Sequence, residues 1–156
     1  MKNLTFYKIL LFHLLLIFME EIRKKRYLQK IKHAEKRISE FNAWKESFFF
    51  DEKTRLACYK AVQEIIECCM DLVAMLLKDE KEVPRDDYTN ISVLEERGII
   101  SHDLALVLKE LNGLRNRIVH EYNGLSDEIA FNSIETLLPE VEKFLRVVKE
   151  WLKTKI

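Results

Sequence analysis

The chain has 156 residues, 48% of them hydrophobic and 33% charged, which suits one self-sufficient domain and excludes both a disordered chain and a multi-span membrane protein. Its 26 basic and 26 acidic side chains cancel, so no global field drives it onto nucleic acid or anionic lipid, and any polyanion contact must be local. With only 3 Gly and 2 Pro, it lacks the turn residues that β-sandwiches, barrels and phosphate-cradling α/β folds require, and an all-α fold is predicted.

The first apolar run, Phe6 to Met19, contains Lys8 and His13 and falls short of the roughly 20 residues that cross a bilayer. Met19-Glu20-Glu21-Ile22 follows it in place of a small-residue cleavage site, so processing as a secretory signal is not expected. Residues 1–18 are read as an apolar extension: sequence upstream of a start at Met19, an extra packing helix, or a weak anchor. Residues 19–156 are read as the helical domain. A cytoplasmic protein without a membrane partner is expected.

From Glu20 to about Ser47 apolar residues recur at Ile22, Tyr27, Ile31, Ala34, Ile38 and Phe41, the spacing of an amphipathic helix, with Lys and Arg on the other faces. Residues 20–47 carry nine basic against five acidic residues, and residues 79–100 three against seven, so charge is polarised along the chain. Asp51 is placed to cap a second helix running to about Lys78, apolar on more than one side and therefore buried. Its Cys58, Cys68 and Cys69 form no C-x-x-C pair and read as reduced core residues. Asp79 to Thr89 is charged, contains Pro84 and is predicted as a loop. Asn90 would cap a short helix ended by Gly98. Ser101 would cap the next helix, to about Asn123, with core residues Leu104, Val107, Leu111, Leu114 and Ile118. Ser126 would cap the last, which Pro139 should kink or break near Leu138. The sum is an antiparallel bundle of four main helices plus a short one.

One segment departs from this pattern: Leu114-Arg115-Asn116-Arg117-Ile118-Val119-His120-Glu121-Tyr122-Asn123. At about 100° per residue Arg115, Asn116, His120, Tyr122 and Asn123 fall in one broad sector at the edge of the core stripe, and Arg117 and Glu121 form an outward i,i+4 pair. Arg offers phosphate a fixed, permanently charged fork, and His moves protons near neutral pH. The residue types alone describe a solvated face near a helix end. His13, His33 and His102 lack ligand spacing, so neither a metal site nor a cofactor is expected.

Arg115-Asn116-x-x-x-His120-x-Tyr122 resembles the R-x4-H-x-Y signature of HEPN-superfamily ribonucleases, specifically the HepT-like (DUF86-type) toxins. The likeness extends over about residues 20–150, through the buried second helix, the charged loop, the Gly113-Leu114-Arg115-Asn116-Arg117 approach and the last helix with its proline. Given nine Arg, four His, seven Asn and five Tyr, the four-residue pattern would arise by accident in roughly 3 of 10,000 such chains. The resemblance implies a HEPN-like fold and a metal-independent endoribonuclease in which two R-x4-H motifs meet across a homodimer, leaving a 2′,3′-cyclic phosphate. It further implies Arg115 on the scissile phosphate, His120 in proton transfer, and Asn116 orienting His120 or holding a phosphate oxygen. Arg117 and Asn123 are candidate RNA contacts. The implied partners are RNA and an MntA-type nucleotidyltransferase antitoxin that adenylylates Tyr122; DNA is not an expected partner. A HEPN module that binds RNA or nucleotide for such a transferase, without cleaving, is the alternative.

Overall fold

In a computed structural model, which describes residues 2–120 and 123–155, the chain forms α1 (Lys2–Trp44), a 3-10 turn (Lys45–Ser47), α2 (Glu52–Asp79), α3 (Asp87–Glu96), α4 (His102–His120) and α5 (Asp127–Lys155). Four long helices and one short one match the architecture expected from the sequence, and every regular element among the described residues is helical. Cross-links between α1 and α2 give their direction. Tyr27 donates to Asp79 (2.6 Å), Lys30 to Asp71 (2.5 Å) and Arg37 to Glu64 (2.6 Å), so partners advance along one helix as they recede along the other. α2 lies at the centre, contributing twelve buried residues from Cys58 to Leu77, as expected of a helix apolar on several sides. All three cysteines are buried there and unbridged, and burial raises each thiol pKa above its ordinary value.

The helix starts follow local chemistry. The Asp51 carboxylate accepts from the Thr54 amide (2.9 Å) and hydroxyl (2.5 Å), Ser101 Oγ accepts from the Leu104 amide (3.2 Å), and Ser126 Oγ from the Ile129 amide (3.4 Å). The start of α3 departs from expectation. Asp86 caps it, accepting from the Thr89 amide (3.0 Å) and hydroxyl (2.6 Å), while Asn90 lies inside the helix and is buried. The Asn90 amide instead accepts from the Arg85 N–H (2.6 Å) and donates to the Arg85 carbonyl (3.1 Å), closing the loop onto the helix. Asp86 and Asn90 are both cap-forming residues; Thr89, three residues after Asp86, gives that carboxylate two donors. The loop is consequently shorter than predicted.

Two helix ends share one geometry. After α3 the Ile99 amide donates to the Leu94 carbonyl and the Gly98 amide to the Glu95 carbonyl, with Gly98 at φ 71. After α2 the Glu82 amide donates to Leu77 and the Lys81 amide to Lys78, with Lys81 at φ 62. Both are left-handed caps, but at Lys81 a Cβ crowds the carbonyl. Lys81→Gly is expected to stabilise the fold by up to about 1 kcal/mol, read as a higher urea midpoint with an unchanged slope.

Hydrogen bonds from Thr54 and Thr89 hold the Asp51 and Asp86 carboxyls below their ordinary pKa. A depressed folded-state pKa contributes stability above the unfolded value, here 3.8, and loses it as pH falls through the folded one. Stability should decline on acidification below about pH 4. Asp51→Asn/Asp86→Asn should flatten that dependence in urea titrations across the same range.

α5 continues through Pro139 without ending. The residue that loses its backbone donor, Glu135, and Pro139 itself are both exposed, so water replaces the missing bond. α1 departs more strongly. Its first half is continuous with the second and extends beyond the bundle as bare helix: residues 3–22 are all exposed, so this segment is not a packing helix against the core. Ile22, expected to join the stripe, is 45% exposed, whereas Tyr27, the next stripe position, is fully buried.

Candidate functional site

α4 buries Leu104, Ala105, Leu108, Leu111, Asn112 and Leu114. At about 100° per residue these span an arc wider than the predicted stripe of Leu104, Val107, Leu111, Leu114 and Ile118, and Arg115 points into that arc. Being near the helix end, its side chain reaches over α2 with 31% of its surface exposed, Nε lying 3.7 Å from Glu67 Oε1. Nη1 donates to Asn116 Oδ1 (3.0 Å), and Nε is buried without a hydrogen-bond partner. Glu67 is itself held, its Oε1 accepting from Gln63 Nε2 (2.9 Å). The result is a guanidinium braced from behind, with most of its five donors unpaired among the described residues. An ion pair this exposed adds little to stability, of order 0–1 kcal/mol; its effect is to orient the cation.

The polar group divides in two. Arg115 and half-buried Asn116 lie on the α2 side, whereas Arg117 and His120, in the last turn of α4, are exposed. The division is one of exposure, because the buried arc runs beneath Arg115. Among the described residues His120 makes no side-chain hydrogen bond, and the Asn116 amide oxygen is bonded to Arg115. Asn123 is exposed in the turn after α4. Tyr122 and Glu121, the residues assigned to modification and to the pair with Arg117, lie outside the described residues.

Sequence reasoning missed Gln63 and Glu67, although a polar i,i+4 pair on an otherwise apolar helix is a legible signal. It also missed a neighbouring cleft of about 450 Å³ whose walls include Arg55, Tyr59, Lys60 and Gln63 from α2, Ile118 from α4 and Asp127 from α5. Tyr59 donates to Asp127 Oδ1 (2.5 Å), and Arg55 Nε lies 3.3 Å from Asp127 Oδ2. Burial, reinforced by the Asp127 carboxylate, pushes the Tyr59 phenol far above its ordinary pKa, so it remains a neutral donor. Nothing local in the sequence joins residues 59 and 127. Gly113 brings in one more group: a Cβ there would lie 3.6 Å from both Tyr88 Oη and Arg117 Nη1, so α3 presents a phenol beside the exposed guanidinium.

Fold and site together define a small helical bundle carrying an Arg-x4-His motif at the exposed end of its fourth helix. Residues 25–148 match the family model described as Ribonuclease HepT-like. The chain is 36% identical over 133 residues to a candidate RNase of Archaeoglobus fulgidus, covering 85% of this chain and 96% of that protein. It is 26% identical over 120 residues to the mRNA nuclease HepT of Shewanella oneidensis, covering 76% of this chain and 90% of that one. Its fold is that of a tri-AMPylated Shewanella oneidensis HEPN toxin solved in complex with MNT antitoxin, with TM-score 0.75, 23% identity, and coverage of 80% of this chain and 96% of that one. The chain belongs to the Ribonuclease HepT-like family.

Proposed function

We propose that this protein is a metal-independent endoribonuclease toxin, active as a homodimer and neutralised by a nucleotidyltransferase antitoxin that adenylylates Tyr122. The nuclease activity named for the Shewanella oneidensis relative and the antitoxin bound to the AMPylated toxin support this reading. The observation that carries it is the braced Arg115, with exposed His120 five residues on, within a complete Arg-Asn-x-x-x-His-x-Tyr sequence.

Cleavage without metal needs a base for the ribose 2′-hydroxyl proton, an acid for the departing 5′-oxygen, and positive charge for the phosphorane between them. One imidazole cannot fill both proton roles at the same instant, so one protomer is insufficient. Two motifs facing each other supply two histidines and two arginines. His120 of one protomer takes the 2′ proton while the partner's His120 protonates the 5′-oxygen, giving a 2′,3′-cyclic phosphate and a 5′-hydroxyl. Arg115, fixed by Glu67 and Asn116, holds the scissile phosphate and stabilises the charge that develops on it. Asn116 keeps the guanidinium plane in place, and Arg117 and Asn123 contact flanking RNA. AMP on Tyr122 brings a competing phosphate and bulk to these cations.

The composite site has a direct test. RNA incubated with purified protein and excess chelator should be cut and yield 2′,3′-cyclic ends. Mixing wild-type protein with excess inactive His120→Ala protein should suppress cleavage, because exchanged dimers keep a single His120 and lack one of the two proton-transfer groups. Undiminished cleavage per wild-type protomer after verified subunit exchange defeats the composite arrangement. Absence of cleavage by wild-type protein favours the non-catalytic RNA- or nucleotide-binding module.

A further inference from the structure

The family match begins at residue 25, so the reading as a nuclease accounts for none of the first half of α1. Fourteen large apolar side chains between Leu4 and Ile22 are each 44–65% exposed. Nineteen residues of helix measure about 28 Å at 1.5 Å per residue. An uncovered surface of that extent exceeds anything a monomer ordinarily exposes to water.

What covers it can be argued from its shape. Successive residues such as Ile9, Leu10, Leu11 and Phe12 are all apolar and exposed, and at about 100° per step they encircle the helix. Lys8 and His13, about 140° apart on that circle, make no polar face. An amphipathic helix lying in a membrane plane needs such a face, and one partner helix would cover only one side. A medium surrounding the helix satisfies it on every side. No helix among the described residues is long and apolar enough to cross a membrane, so the requirement is for insertion, not passage.

Charge supplies the second observation. The apolar run ends at Met19, and after Glu20, Glu21 and Ile22 come Arg23, Lys24, Lys25 and Arg26, at the point where α1 enters the bundle. Arg23 is paired with Asp79 (3.5 Å), but Lys24, Lys25 and Arg26 have no ion pair among the described residues, and Lys25 and Arg26 are exposed. Four cations against the two carboxylates Glu20 and Glu21 leave this stretch net positive beside an apolar helix, complementing the negative surface of anionic lipid, where each basic side chain strengthens attachment. We infer that residues 3–19 insert into an anionic lipid bilayer and the net-positive segment from Glu20 to Arg26 seats on its headgroups, holding the helical domain at a membrane surface.

The test uses the full chain in density-gradient flotation with vesicles of phosphatidylcholine alone or mixed with phosphatidylglycerol. The protein should float with the mixed vesicles, and the bound fraction should fall at least tenfold with phosphatidylcholine alone or for Lys24→Glu/Lys25→Glu/Arg26→Glu. Leu11→Glu/Leu15→Glu, which alters no core residue, should abolish flotation while RNA cleavage by the purified protein is retained. Wild-type protein that stays at the bottom of the gradient with both vesicle types, dispersed or aggregated, overturns the inference. So does a lipid-free oligomer that Leu11→Glu/Leu15→Glu dissociates, since a second copy would then cover the segment. Because the readout is flotation, its failure leaves the nuclease assignment untouched, and loss of cleavage leaves flotation untouched.

Discussion

His120→Ala is expected to lower RNA cleavage by about 100- to 10,000-fold, the usual contribution of a positioned proton-transfer group. Arg115→Ala should lose at least about 100-fold, as for removal of a group that stabilises transition-state charge. Neither change should move the unfolding midpoint appreciably. His120 is exposed and makes no side-chain bond among the described residues, and the group that loses its partner in Arg115→Ala, Glu67, is 38% exposed and can be solvated. Arg115→Lys should rescue poorly. An ammonium cannot reproduce a planar fork braced at Nη1 by Asn116 while its other donors meet phosphate. Gel assays of RNA cleavage beside urea unfolding would check all three; wild-type rates in His120→Ala would remove His120 from the chemistry.

Phe48→Ala should have the largest effect on stability, about 3–5 kcal/mol. Its ring is fully buried where the turn after α1 meets α2 and α5, with centroids 5.0 Å from Phe131, 5.3 Å from Tyr59 and 5.0 Å from Phe49. The neighbours belong to different elements, so they cannot close the void without moving those elements. Because Tyr59 also walls the cleft beside the motif, this variant should lose activity at temperatures where wild type is still active. Urea unfolding and the temperature profile of RNA cleavage measure the two consequences. A loss below about 1 kcal/mol would mean that the cluster collapses freely around the gap.

The membrane inference changes how toxicity would be expressed. A nuclease domain held at a bilayer surface meets RNA within reach of that surface, and the motif lies toward the opposite end of the bundle. Arg115 faces Glu67 near the middle of α2 and Ile118 lines a cleft with Arg55 and Tyr59 in its N-terminal half, whereas the inserted helix leaves the bundle beside Asp79 at the C-terminal end of α2.

The sequence alone determined what depends on neighbours a few residues away. Asp51, Ser101 and Ser126 mark helix starts because their side chains reach amides three residues on. Gly98 marks an end because it takes a positive φ without penalty, and α2 reads as the central helix from its own apolar surround. The Arg-x4-His motif is local in the same sense. What required tertiary structure depends on which surfaces meet. Between Asp86 and Asn90 the decision followed from the bonds each could complete. The direction of Arg115 followed from Glu67 and Gln63 on another helix, and the buried side of α4 extends through Ala105 and Leu108 beyond the predicted stripe. The pairing of Tyr59 with Asp127 joins positions 68 residues apart. The exposure of α1 through residue 22 could be known only once the bundle was seen to begin at Tyr27, because an apolar run describes what a segment must bury and not what is there to bury it.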